Sequence, residues 1–170
     1  MAATKVKGDF AELMVAADLA RRGYRVAIPF GENSDYDLVV EREDGLERVQ
    51  VKHARSDGHV IEVRPMSLSL TNGKVRRIKR YTSATIDWLA VYDVTTDRCY
   101  YIHASELGSG RRHLTLRLTA PRNGQAARIR YAADYLDLEV PRQQSLEDPG
   151  MEPAGLEPAT SCLQGRRSPN

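Results

Sequence analysis

The sequence has few of the residues that carry thiol and metal-thiolate chemistry. Its two cysteines, Cys99 and Cys162, stand far apart, and no C-x-x-C is present. That removes zinc-ribbon and dithiol redox readings and leaves free thiols in a reducing cytoplasm as the expectation. No run of about 18 apolar residues occurs, so no membrane span is expected. The N-terminus lacks the apolar core of a signal peptide, so the protein is expected to be cytoplasmic. Neither G-x-x-x-x-G-K-S/T nor G-x-G-x-x-G is found, which takes support from nucleotide-driven motors and Rossmann redox enzymes. The histidines show no H-x-x-x-H spacing, so His53 and His59 are read as surface groups. No repeat of about 20–50 residues is visible.

What the chain does contain fits a globular protein. Of 170 residues 41% are hydrophobic and 28% charged, enough for a real core. One domain over residues 1–140 is expected, followed by a tail over 141–170. The tail is dominated by Pro, Gly, Gln and Ser and reads as disordered. It carries three arginines against four acids, so the net charge of +2 leaves about +3 on the body. Within the body, Lys74, Arg76, Arg77, Lys79 and Arg80 put five positive charges into seven residues. The commoner fate of such a run is a solvated face; its other use is contact with phosphates.

Thr4 to Arg22 reads as a helix, with Phe10, Leu13, Met14, Ala17 and Ala20 at helical spacing and Gly23 placed to end it. Glu12 lies beside that stripe, near the line of Val15, Ala16 and Leu19; on its own it would be an exposed helix former. Tyr24–Phe30 is a short strand leaving at Pro29. Tyr36–Arg42 and Leu46–Ala54 are two strands joined at Glu43-Asp44-Gly45. His59–Arg64 follows, then a basic hairpin over 65–80 turning at Asn72-Gly73. Trp88–Val94 is the best candidate for a buried strand. Cys99–His103 pairs back on it, Leu114–Leu118 adds a short strand, and Arg128–Leu138 has helical spacing.

The chemistry concentrates between Ser34 and Ala54. Alternation along the second strand puts Val49 and Val51 on one face and Gln50 and Lys52 on the other. If Asp37 lies across from them, a carboxylate, an amide oxygen and an ammonium converge. That grouping suits a divalent cation beside a phosphodiester. Asp35 reads as part of a polar turn, whereas Asp37 runs directly into Leu38-Val39-Val40.

This order of residues resembles the PD-(D/E)XK nuclease superfamily, and within it the group I intron homing endonuclease-like branch. The residues that carry the resemblance are Gly8-Asp9-Phe10-Ala11-Glu12, Tyr36-Asp37-Leu38-Val39-Val40, Val49-Gln50-Val51-Lys52 and Tyr81-Thr82-Ser83-Ala84-Thr85-Ile86-Asp87-Trp88. Asn123-Gly124-Gln125, Ile129-Arg130-Tyr131-Ala132 and Asp134-Tyr135 extend it over about 140 residues. The chain departs from the superfamily pattern at Gln50, which stands where an acid is usual. The resemblance implies an α/β (α+β) fold with an αβββ core, a restriction-endonuclease-like mixed sheet flanked by helices. It implies a Mg²⁺- or Mn²⁺-dependent endonuclease acting on double-stranded DNA. Asp37, Gln50, the Val51 carbonyl and Glu12 would hold the metal, and Lys52 would serve the attacking water or the phosphate. Lys74, Arg76, Arg77, Lys79 and Arg80 would contact DNA. A double-strand cut needs two such sites, which favours a homo-oligomer. Three other readings stay open: a junction-selective nuclease similar to the archaeal resolvases, a DNA-binding module whose catalysis lapsed with Gln50, and a soluble α/β domain with no nucleic-acid role. The last sixteen residues resemble a read-through of a tRNA gene's T arm, as at a mobile-element insertion site.

Overall fold

A computed structural model describes residues 3–31, 34–71, 74–120 and 128–139, with side chains left out at 3 and 69–77. The chain opens with helix α1 (Ala3–Arg21). Gly23 takes φ 91°, Gly23 N donates to the Ala20 carbonyl at 3.0 Å and Tyr24 N to that of Leu19 at 3.1 Å. These are the two bonds of a Schellman stop, which glycine permits at no steric cost.

Strands β1 (Arg25–Ala27), β2 (Leu38–Arg42) and β3 (Gly45–Ala54) come next. β4 (Val60–Val63), β5 (Met66–Thr71) and β6 (Lys74–Arg80) follow, then β7 (Trp88–Asp93), β8 (Arg98–His103) and β9 (Leu114–Arg117). Five of them form one mixed sheet in the order β1-β2-β3-β7-β8, antiparallel except for the parallel pair β3 and β7. The parallel step is possible because the chain between them is long enough to cross over; β4, β5 and β6 lie in that crossover. Arg48 pins the return, its backbone N–H and Nε donating to Asp87 Oδ2 at 2.8 and 2.9 Å. β5 pairs with β6 as a separate ribbon, and β4 pairs with β9.

β7 is buried at all six positions, as its unbroken run W-L-A-V-Y-D predicts for a central strand. Trp88, Ala90 and Tyr92 face α1 together with Val49 and Val51, whereas Leu89 and Val91 pack with Ile61, Leu116 and Ile102 on the other side. The expected αβββ core and mixed sheet are present, but only one face is covered by a helix among the described residues. The opposite face is covered by β4, β9 and two 3₁₀ turns, Ala104–Leu107 and Ala132–Tyr135.

Two local expectations are corrected. Arg128–Leu138 is not a helix: Arg128 has φ 60°, and the Arg130 carbonyl accepts from Arg117 N at 2.7 Å. Backbone groups committed to β9 cannot close helical rings, so only the turn at Ala132–Tyr135 remains. On α1 the buried line is Ala11, Val15, Asp18 and Leu19, while Phe10 and Leu13 are 46% and 63% exposed. The buried face is therefore the neighbouring line of Val15 and Leu19, not the stripe through Phe10 and Leu13, and Asp18 is buried with it. Its carboxylate accepts from Arg21, Arg22 and the Tyr101 hydroxyl at 2.6–2.7 Å, which makes its burial tolerable.

Cys99 is a free, buried thiol; Cys162, the 141–170 tail and the tRNA-like ending lie outside the described residues. Among those described, no helix is long and apolar enough to cross a membrane.

Candidate active site

The β2–β3 register sets the first contact. Leu38 pairs with Val49, and one residue before that pair Asp37 N donates to the Val49 carbonyl at 2.9 Å. Asp37 therefore sits against Gln50 and Val51. Its Oδ2 accepts from Val51 N at 2.8 Å and from the Gln50 amide. The same amide nitrogen also donates to the Val51 carbonyl at 3.2 Å. Gln50 is only 6% exposed. Burial pushes the Asp37 carboxyl above the usual carboxylate range, partly offset by the Val51 N–H, the charge of Lys52 and the Gln50 amide.

Glu12 arrives from α1. It shares an open cleft of ≈ 340 Å³ with Lys5, Asp9, Ser34, Tyr36 and Asp37. Burial, then the charges of Asp37 and Asp9, raise its pKa to about 6, against opposing pulls from Lys52 and Lys5. Two larger hollows, of ≈ 620 and ≈ 710 Å³, lie beside Asp18 and along Glu41–Glu47. In each an arginine neutralises a lining carboxylate, in the Asp18–Arg22 and Arg25–Glu41 pairs, and neither hollow brings a carboxylate, an amide and a buried lysine together as the Asp37 site does.

Lys52 projects from the β3 face opposite Val51. Burial lowers its pKa, the charge of Lys79 adds to that, and Asp37 and Glu12 oppose it. Its Nζ donates to Tyr81 Oη at 3.4 Å and stands 4.9 Å from the centre of the Tyr81 ring. Thus Asp37, Gln50 and Val51 are in direct contact, the charge of Lys52 acts on Asp37, and the charges of Asp37 and Lys52 act on Glu12.

The basic ribbon divides. Lys79 turns toward the site, pairing with Asp35 and donating to the Ser34 carbonyl at 3.4 Å. Arg80 is exposed. The backbones of Lys74, Arg76 and Arg77 lie in β6; their side chains lie outside the described residues. Three residues of this neighbourhood were not singled out from the sequence as site groups: Asp35, Ser67 and Tyr81. Asp35 reads from sequence as a plain polar turn, and Tyr81, although it opens the Tyr81–Trp88 stretch, carries no signal of a role of its own.

The donor set can be tested against a cation. Two acceptors from different residues, Asp37 Oδ2 and the Val51 carbonyl, converge on one point, which the Gln50 amide nitrogen now addresses. A half-turn of that amide would aim its own oxygen there. With Glu12 in the adjoining cleft, all four donors are oxygens, which fits a hard divalent ion. Among the described residues no group of three or more His, Cys, Asp or Glu could hold a metal. A cation at this point therefore depends on amide and backbone oxygens as well as the two acids.

Comparison with known proteins places this geometry in context. A family model described as PD-(D/E)XK endonuclease matches residues 2–138. Among solved structures the chain is similar to one titled "The structure of a bacterial homing endonuclease: I-Ssp6803I". The TM-score is 0.61 at 22% identity, covering 78% of this chain and 88% of that one. At that identity the likeness is one of fold. No curated protein sequence matches the chain.

Proposed function

The chain belongs to the PD-(D/E)XK endonuclease family, and from that premise we propose a metal-dependent endonuclease of homing type, cutting double-stranded DNA at a specific site. The observation that carries the reading is the convergence of Asp37, Gln50 and the Val51 carbonyl beside Lys52.

Asp37, the Val51 carbonyl, Gln50 through its side-chain oxygen, and Glu12 would hold Mg²⁺ or Mn²⁺. When bound, such an ion lowers the pKa of an attacking water and balances charge on the phosphate. The residues contribute the rest. Asp37 is fixed by the Val51 N–H, so its second oxygen keeps one direction. Lys52 offers N–H donors to the water or the non-bridging phosphate oxygens, where charge grows in the transition state. Its lowered pKa makes it a better proton carrier than a solvated lysine. Gln50 in place of an acid removes one negative charge, so metal affinity should be weaker than in an all-acid site.

The β5–β6 ribbon would lie against DNA through Lys74, Arg76, Arg77 and Arg80, with Lys79 bracing its base on Asp35, and a symmetric oligomer would present two sites to opposite strands. Residues 1–140 would form the nuclease domain, and 141–170 would play no part in the site. In support, Leu138 is fully buried and its carbonyl accepts from Arg42 at 3.0 Å, so the domain reaches at least that far.

The test is plasmid nicking with Mg²⁺ or Mn²⁺ by the full chain and by Asp37→Ala and Lys52→Ala. The expected result is cleavage by the first alone, with DNA binding retained by all three. DNA binding without nicking under any divalent ion would identify a binding module instead. Preference for four-way junctions over linear duplex would identify a structure-selective nuclease.

A further inference from the structure

Lys52 has a single hydrogen-bond acceptor among the described residues, Tyr81 Oη. An ammonium has three donors and no acceptor, so the phenol oxygen must accept there. The phenol also shares a hydrogen bond with Ser67 Oγ at 3.1 Å, in which either hydroxyl can donate. The ammonium stands 4.9 Å from the ring centre, which with 3.4 Å to Oη puts it at the hydroxyl end of the ring. Tyr81 is itself held firmly. It is 2% exposed, and its N–H donates to the Pro65 carbonyl at 3.2 Å, closing the base of the β5–β6 ribbon just beyond the Met66–Arg80 pair.

Ser67 stands opposite Lys79 in that ribbon, and Lys79 pairs with Asp35, two residues before Asp37. The base of the ribbon is thus tied to the site twice, through Ser67–Tyr81–Lys52 and through Lys79–Asp35.

We propose that Tyr81 is the positioning residue for Lys52, holding the ammonium beside Asp37 and coupling its place to the base of the β5–β6 ribbon through Ser67. This deepens the nuclease reading and rests on it. DNA seated along the ribbon would then set the lysine as well as bind, so cleavage would follow correct docking. Tyr81 touches no reacting atom; it acts through Lys52.

Two readouts test the idea on the full chain. The first needs no activity. An ammonium held by the phenol is less mobile and better protected than a solvated one, so Lys52 should show slowed Nζ–H exchange with water and restricted side-chain motion in carbon NMR relaxation. Tyr81→Phe keeps a ring but loses the oxygen, and Ser67→Ala loses the far anchor. Both should return Lys52 toward the mobility and exchange of a solvated lysine, with Tyr81→Phe the larger effect. The second is single-turnover cleavage of saturating DNA. Tyr81→Phe should slow it about tenfold, the loss of one hydrogen bond to a charged group, with DNA affinity within about twofold of wild type. Ser67→Ala should fall between. A Lys52 as mobile in the wild type as a solvated lysine, or one unchanged by Tyr81→Phe, overturns the proposal whatever the rates show. Restriction that is lost in the variants of a wild type unable to nick DNA would uphold the positioning and sink the nuclease reading instead.

Discussion

The side-chain amide of Gln50 donates to Asp37 Oδ2 and, from the same nitrogen, to its neighbour's carbonyl on Val51. A carboxylate at position 50 would face both oxygens with no proton to offer. Gln50→Glu should therefore destabilise the metal-free protein by about 1–2 kcal/mol through lost bonding and like-charge repulsion. The same change supplies the acid that a hard cation prefers, so Mg²⁺ should raise the melting temperature more than it does in the wild type. Thermal melts with chelator and with Mg²⁺ measure both effects. An equal response to Mg²⁺ in the two proteins would remove Gln50 from the metal site.

Glu12 gives a prediction about pH. Its folded pKa of about 6 stands above the ordinary 4.5, so the folded state prefers the protonated form. The stability at stake is complete below about 4.5 and is lost as pH rises through about 6. Glu12→Gln should stabilise the metal-free protein at pH 7.5 by no more than about 1 kcal/mol, since solvent screens this partly exposed group. That is about 3 °C in melting temperature for a domain of this size. The gain should vanish near pH 4, while nicking activity is lost at every pH. A variant less stable than wild type at pH 7.5 would mean Glu12 makes a structural bond that outweighs its burial.

The sheet was legible because it rests on local signals. The β2–β3 turn needed only Gly45, and β7 needed only its apolar run. The Asp37–Gln50 meeting followed from the hairpin register, since a two-residue period fixes which side chains share a face. The rest depends on contacts between distant residues. Asp18 carries no sequence signal of its burial, because its partner Tyr101 lies 83 positions away. The 128–138 segment has helical spacing, yet its backbone is claimed by Arg117. Tyr81 carries no local mark of its role, which exists only once Lys52 and Ser67 are brought to it.

Asp93 is another such residue, and a test of what holds the sheet's far end. Its side chain is fully buried and accepts from Ser56 N at 2.7 Å, Ser56 Oγ at 2.8 Å, Thr96 N at 3.1 Å and Thr96 Oγ1 at 2.9 Å. One carboxylate thus ties the exit of β3 to the β7–β8 turn. Burial alone would raise its pKa, but these donors, Ser56 first, hold it below the ordinary 3.8. Its contribution is present above about pH 3.8 and is lost as pH falls through the lower folded value. Asp93→Ala strands five donors, Thr95 N at 3.4 Å included, and should cost about 3 kcal/mol at pH 7, with a smaller penalty near pH 2. Urea melts at the two pH values decide this; a penalty that does not shrink in acid would point to packing and not to charge.

The basic ribbon separates two uses of positive charge. Lys79 is spent on Asp35 and the Ser34 carbonyl, so it braces the loop that delivers Asp37. Arg80 is exposed, and Lys74, Arg76 and Arg77 share its strand. If those three meet phosphates, each contributes about 0.9 to the slope of log affinity against log salt. Replacing all three with alanine should lower that slope by about 2–3 and weaken binding alike on cognate and random duplex, because phosphate contacts carry no sequence information. Lys79→Ala should behave differently: the slope should change little, while the cleavage rate of bound DNA falls as the Asp35 loop loosens. Titrations by fluorescence anisotropy between 50 and 200 mM salt, paired with single-turnover cleavage, distinguish the two roles. A full unit lost from the slope on removing Lys79, with cleavage of bound DNA unchanged, would make it one more phosphate contact and leave the Asp37 loop without its proposed brace.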